Sequence, residues 1–279
     1  MIDFEDTYLD CIKKAYLGKG YDVLTLANKT GYSVYYINEF LKGCYSNEIL
    51  EALAKVLDLG IESLRSHAKE QKNCSLITPS ILHQYQTNFL YEENLNLKVN
   101  HYLLFDPNTN GALLFDTGND ARATIQDLIN EGRKLNSIFI THQHKDHIGA
   151  LEDYLEAFPD VPIYASLPLK LKTKKSQILK DRQNYSFGSL RVKAYQTPGH
   201  SEDGFSYMIL GLKRPLMFVG DSIFSHSQGG TRTKENYHIA LNINKTVILS
   251  QNPETILAPG HGPLTTVEHE NLYNPFYAK

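Results

Sequence analysis

Thr141-His142-Gln143-His144-Lys145-Asp146-His147 is the stretch from which the rest of this chain is read. Three His and one Asp fall between positions 142 and 147, directly after the apolar run Ile138-Phe139-Ile140. Open α/β sheets put their binding residues at the carboxyl ends of strands, so ligand-type side chains at this density mark a site. Residues two apart in an extended segment point the same way, so His142 and His144 face one point. Asp146 and His147 follow once the chain turns, and aim at a second point close by. Imidazole nitrogen combined with carboxylate oxygen suits a borderline divalent ion such as zinc, and also iron or manganese.

Outward from the cluster, three later segments repeat one pattern: a strand, a tight glycine-bearing turn and a single ligand-type residue. They are Thr197-Pro198-Gly199-His200-Ser201, Val219-Gly220-Asp221-Ser222 and Ala258-Pro259-Gly260-His261-Gly262-Pro263. Glycine in such turns lets the backbone approach a bound ion. The expected strands are Leu97–Asp106, Ala112–Asp116, Ser137–Thr141, Leu190–Thr197, Phe205–Leu210 and Leu216–Asp221. A hairpin turn is expected at 107–111, and helices at Ala121–Glu131, His147–Phe158 and Tyr237–Ser250. Strands alternating with helices mean an α/β architecture.

These residues carry a resemblance. His142-x-His144-x-Asp146-His147 followed by His200, Asp221 and His261 resembles the ordered metal motifs of the metallo-β-lactamase superfamily. Asp116 in Phe115-Asp116-Thr117-Gly118 matches its early Asp-x-Gly element. The stretch from Pro259 to Thr266, with Glu270 and Asn274-Pro275-Phe276, is similar to small bacterial glyoxalase II-like (hydroxyacylglutathione hydrolase-like) hydrolases. The resemblance implies an αββα sandwich with the metals at one edge. It also implies that His142, His144 and His200 hold one ion, that Asp146, His147 and His261 hold another, and that Asp221 bridges them. Asp116 is then expected to orient a ligand His from behind.

Two divalent ions, zinc before iron or manganese, would share a water and lower its pKa towards neutrality. The expected reaction is hydrolysis of a small thioester, or a related ester or lactone, by a metal-bridging hydroxide. On that resemblance Asp146 and Asp221 are expected to be the catalytic carboxylates, with Asp146 able to act both as ligand and as proton shuttle, and Lys145 is expected to point to solvent. Arg232, Lys234 and Tyr237 are candidates for gripping a substrate carboxylate. The chain stops soon after His261, without the helical extension that helps glyoxalase II enzymes bind glutathione. Its loop Ser225–Arg232 also departs from their Gly-Arg-Thr-Asp stretch, so weak glutathione recognition is expected. Two alternatives stand beside the hydrolase. One is a mononuclear iron persulfide dioxygenase of the same fold, which uses two His and one Asp and has no need of Asp146, His147 and His261 as ligands. The other is a ligand-sensing regulator with a DNA-binding head.

The first 70 residues read differently. Apolar residues recur at helical spacing at Phe4, Leu9, Ile12 and Tyr16, at Leu24 and Ala27, at Val34, Ile37 and Leu41, and at Leu50, Leu53, Ala54 and Leu57, with Ser33 and Ser46 as N-caps. A small all-α domain over 1–70 is expected ahead of the hydrolase domain at 76–279, joined by a polar linker at His67–Ser75. Leu24-x-x-Ala27-x-x-x-Gly31-x-Ser33-x-x-x-Ile37, then Leu50–Leu57 and Leu64, resembles a repressor-type helix-turn-helix, which implies Val34–Lys42 as recognition helix. The unit holds eight Lys+Arg against eleven Asp+Glu. DNA binding needs a positive surface, so a packing or homodimerisation module is expected instead.

The whole chain has a formal net charge of -3, which gives no global attraction for nucleic acid or an anionic membrane. No stretch reads as a signal or a membrane span. Cys11, Cys44 and Cys74 sit at wide, motif-free spacing, so each is read as a small buried hydrophobe in a reducing, cytoplasmic compartment.

Overall fold

The computed structural model describes residues 2–69, 78–92, 95–169 and 176–278. Five helices come first: α1 (Tyr8–Gly18), α2 (Val23–Thr30), α3 (Val34–Leu41), α4 (Asn47–Leu57) and α5 (Ile61–Ala68). One sheet then runs β1 (Leu82–Glu92), β2 (Leu95–Phe105), β3 (Gly111–Phe115), β4 (Lys134–Phe139), β5 (Ile163–Ala165) and β6 (Gln177–Ile178), each beside the next. The second runs β7 (Asn184–Phe187), β8 (Leu190–Gln196), β9 (Phe205–Leu210), β10 (Leu216–Gly220), β11 (Ile256–Pro259) and β12 (Thr265–Thr266), also in chain order. The intervening helices are α6 (Arg122–Asn130), α7 (Lys145–Ile148), α8 (Leu151–Ala157), α9 (Lys234–Ile243) and α10 (Val267–Tyr273).

Side-chain alternation along the strands builds four layers. On β3, Leu113 and Phe115 face the second sheet, while Ala112 and Leu114 face α6 and α8. On β10, Leu216 and Phe218 face the first sheet, and Met217 and Val219 face the α9–α10 side. The sheets meet through aromatic rings, with Phe115 stacked on Phe218 at 3.7 Å between centroids. The result is the αββα sandwich expected from the sequence, with helices on both outer faces.

The helical unit has its own core of Ile12, Leu26, Ile37, Phe40, Leu50 and Leu53, and it shares that core with Tyr237 of α9 and with Phe276. Ser33 and Ser46 cap α3 and α4 by accepting from Tyr36 N and Ile49 N. Gly18 is needed where α1 meets α9: a Cβ there would come within 2.4 Å of the Tyr237 ring. The Gly60 N–H donates to Pro275 O at 2.7 Å. The helices are therefore docked onto the sandwich.

Four sequence expectations need correction. His67 belongs to α5 and is 5% exposed, so it is not linker; the rest of the proposed linker from residue 70 lies outside the described residues. Cys11 is buried but Cys44 is exposed, while Cys74 lies outside the described residues. Leu24, expected at a core position, is 58% exposed, because Leu26 takes the inward turn of that helix. The helix expected over Tyr237–Ser250 is α9 followed by a π-turn at Asn244–Ile248. Among the described residues, no helix is long and apolar enough to cross a membrane.

Candidate metal centre

The strand ends of both sheets converge on one edge of the sandwich. His142 and His144 follow β4, Asp146 and His147 lie in α7, His200 follows β8, Asp221 follows β10 and His261 follows β11. Glycine permits the approach: a Cβ on Gly260 would meet Asp221 Oδ1 at 2.1 Å and His147 Cε1 at 2.6 Å.

The nitrogens of one group point at a common centre. His144 Nδ1 is 3.0 Å from His142 Nε2 and 3.0 Å from His200 Nε2. Asp221 Oδ2 is 3.4 Å from His200 Nε2 and 3.9 Å from His142 Nε2. Ligand atoms at about 2.0–2.1 Å around one tetrahedral ion are roughly 3.3 Å apart, so this spacing fits a metal. A second group adjoins it: His261 Nε2 is 3.4 Å from Asp146 Oδ2, and His147 Nε2 is 3.7 Å from the same oxygen. Asp221 reaches this group as well, with Oδ1 3.3 Å from His147 Nε2 and Oδ2 3.4 Å from His261 Nε2. The structure thus gathers all seven sequence candidates into two sets of three, with Asp221 between them.

A second tier fixes which nitrogen faces inward. Asp116 Oδ2 accepts from His147 Nδ1 at 2.8 Å and from Thr141 Oγ1 at 2.8 Å, and its Oδ1 accepts from Thr141 N at 2.8 Å. Gly230 O accepts from His200 Nδ1 at 2.7 Å, and Lys98 O from His261 Nδ1 at 2.8 Å. Each such bond uses the Nδ1 proton and leaves the Nε2 lone pair for the centre. Asp116 holds φ at 57°, a left-handed conformation that the fold sustains while its carboxylate collects three donors. Buried His147 Nε2 and Asp221 Oδ1 have no hydrogen-bond partner. Buried polar atoms are nearly always satisfied, so two orphans facing each other fit a site built for cations.

The protonation pattern agrees. Burial lowers the pKa of His142 far below the ordinary value, aided by the neighbouring His147. Burial also takes His200 to about 4 against the pull of Asp221. His147 and His261 go the other way: burial opposes their charge, but Asp221, with Asp116 for His147 and Asp146 for His261, outweighs it, raising His147 to about 10. The buried Asp221 carboxyl is held well below its usual range by His261 and His147. The centre thus concentrates negative charge that protons, or divalent cations, neutralise.

The cleft above the centre has a volume of about 710 Å³. Its lining includes Asp146, Asp221, His144, His200 and His261, with Phe89, Leu97 and Phe224 as an apolar wall and Lys145 and Arg232 as exposed cations. Of the three substrate candidates only Arg232 lines it. Lys234 is exposed at the start of α9, outside the lining. Tyr237 is corrected to a packing residue: it is 2% exposed and its ring sits in the helical core, turned from the cleft by the docking of α1. The sequence reading missed Glu5 and Lys14, which line the cleft from the N-terminal unit. It also missed Thr141, whose place directly before His142 was the available signal.

The model of the metallo-beta-lactamase superfamily matches residues 96–261, a span that holds every residue of the centre. The chain belongs to this superfamily. A hydroxyacylglutathione hydrolase of Gloeobacter violaceus is 32% identical over 135 residues, 48% of this chain and 52% of that protein. A probable metallo-hydrolase of Bacillus subtilis, YqgX, is 28% identical over 203 residues, 64% of this chain and 92% of its own length. Among solved structures, the BLEG-1 B3 metallo-beta-lactamase aligns with TM-score 0.57 and 28% identity over 70% of this chain and 100% of that one. The chain spans about half the length of the hydroxyacylglutathione hydrolases it matches. The match leaves the N-terminal helices outside the superfamily region.

Proposed function

We propose that the chain is a dinuclear metal-dependent hydrolase acting on small thioesters, similar in chemistry to hydroxyacylglutathione hydrolase, with esters and lactones as related substrates. The carrying observation is the pair of three-residue ligand sets joined by the Asp221 carboxylate. His142, His144 and His200 would hold one ion, Asp146, His147 and His261 the other, and Asp221 both. When bound, two divalent ions, zinc foremost, supply an activated water and polarise a carbonyl oxygen. Asp146 borders the cleft with 12% of its side chain exposed, placed to hold the ion and pass a proton to the leaving group. Phe89, Leu97 and Phe224 offer an apolar wall for the acyl part of a substrate, and Arg232 a cation for a substrate carboxylate.

A mononuclear dioxygenase does not call for Asp146, His147 and His261 to gather as a second ligand set, and their convergence supports hydrolysis. The helical unit serves as a packing or dimerisation module rather than a DNA reader, in keeping with its excess of acids and with exposed Tyr35 and Tyr36 on α3. A cytoplasmic location is consistent with the cysteine usage.

The test is metal analysis of protein purified without added metal, alongside a panel of thioesters, esters and lactones. About two ions per chain and thioester turnover are expected. One ion per chain, with oxygen consumed on glutathione persulfide and no hydrolysis across the panel, would replace this reading with the dioxygenase. Titration with random duplex DNA at low salt and light scattering test the helical unit. Sub-micromolar, salt-sensitive DNA binding would overturn the packing role.

A further inference from the structure

The N-terminal unit brings to the cleft a carboxylate that the ligand sets do not use. Residues 3–5 run against the turn that carries His261: a Cβ on Gly262 would lie 3.1 Å from Glu5 N and 3.7 Å from Asp3 O. This places the Glu5 side chain in the cleft lining with 20% of its surface exposed. Its Oε2 is 3.8 Å from His261 Nδ1, beyond hydrogen-bond range, and that nitrogen already donates to Lys98 O at 2.8 Å. Lys14 also lines the cleft, but its ammonium is engaged. It pairs with Asp6, donates to Gln228 O at 2.9 Å and lies 4.8 Å over the Phe224 ring. Among the described residues, no group hydrogen-bonds the Glu5 carboxylate.

Most of the Glu5 side chain is buried with His261, 3.8 Å away, as its ion-pair neighbour and with no hydrogen bond to its carboxylate, a costly arrangement that the docking of the helical unit holds in place. We propose that Glu5 is a specificity-determining residue that receives the protonated amine of the substrate, so that the preferred substrates are amine-bearing thioesters or esters. This rests on the hydrolase reading given above. Lys145 and Arg232 line the same cleft with the opposite charge. Both are exposed and screened by water, whereas Glu5 is mostly enclosed and acts at greater strength on a group that reaches it.

The experiment uses the zinc-loaded full chain and two thiol probes of matched size, 2-aminoethanethiol and 1-propanethiol, with binding measured by calorimetry. The quantity read is the preference for the amine probe in the native protein divided by that in Glu5→Gln. A charge-assisted hydrogen bond to an enclosed carboxylate predicts a ratio of about ten. Glu5→Ala repeats the comparison should Glu5→Gln fold poorly, and kcat/KM on paired amine-bearing and neutral thioesters provides the second readout. A ratio near one in both variants would overturn the assignment. So would loss of zinc with the preference intact, since Glu5 would then be acting through His261. The expected ratio in binding, in a protein that hydrolyses nothing on the panel, would uphold Glu5 as an amine receptor while defeating the hydrolase reading.

Discussion

Asp116→Asn is a sharp test of the tier behind the metal centre. The carboxylate accepts three hydrogen bonds and donates none: Thr141 N at Oδ1, and Thr141 Oγ1 and His147 Nδ1 at Oδ2. An amide has the same shape but must present an NH₂ on one side. Facing His147, that NH₂ opposes an N–H and drives the ring to the other tautomer, which moves the proton to Nε2 and takes the lone pair from the centre. Turned the other way, it opposes the backbone N–H of Thr141. The first arrangement trades away the lone pair that the centre needs, and the second leaves a buried donor unmatched, which costs about 1–3 kcal/mol of stability. The loss of tier support costs about 10–100-fold in affinity for the ion held by Asp146, His147 and His261, equivalent to about 1.4–2.7 kcal/mol. Competition titration against a chromophoric chelator resolves the two ions, and the ion on His142, His144 and His200 should be less affected. An Asp116→Asn variant that holds both ions as tightly as the native chain would refute the reasoning.

Asp221→Ala should reduce metal content from about two ions to less than one per chain and abolish turnover, whereas His261→Ala should lose about one ion; retention of two ions by His261→Ala would defeat the dinuclear assignment. Burial raises the Glu270 carboxyl to about 7, against its hydrogen bonds with Thr265, Asn274 and His226 N. Its folded pKa thus lies above the unfolded value of 4.5, so the stability it contributes is present below about 4.5 and lost as pH rises through 7. The change amounts to roughly 3 kcal/mol. Denaturant titrations at about pH 4.5, 6 and 8 should show that slope, and Glu270→Gln should flatten it; an unchanged slope contradicts the account. Tyr237→Ala should cost about 3–5 kcal/mol and release the helical unit to proteolysis before the sandwich, because its ring fills the core between α1 and α9. A loss under about 1 kcal/mol would show that the docking contact is elsewhere.

The residues that converge at the candidate metal centre were legible because each ligand type sits beside a glycine turn or in a dense cluster, and that chemistry is local. The strands β3, β8, β9 and β10 were legible from their apolar runs. In contrast, β1 was missed: His83, Gln84, Gln86 and Asn88 break the apolar pattern, as suits a strand with one sheet neighbour. The strands β5, β6 and β7 are too short for a periodic signal. Tyr237 was misread because a hydroxyl in a polar stretch looks like a binding group, and only the arrival of Gly18 shows that its ring is core. Glu5 carried no signal at all. Its role depends on where a helical unit docks, which no local pattern encodes.

That docking also bears on the order of synthesis. The helical unit is synthesised before the sandwich, yet two residues that share its core, Tyr237 and Phe276, follow it by more than 160 positions. At about 5–20 residues per second, the face meant for them stays uncovered for roughly ten to forty seconds. During that interval the nascent chain displays an apolar surface with its rightful cover still unmade. A misplaced early fold there would reach the edge that carries the candidate metal centre directly, because the same unit seats Glu5 against the His261 turn and Lys14 against the loop at Gln228.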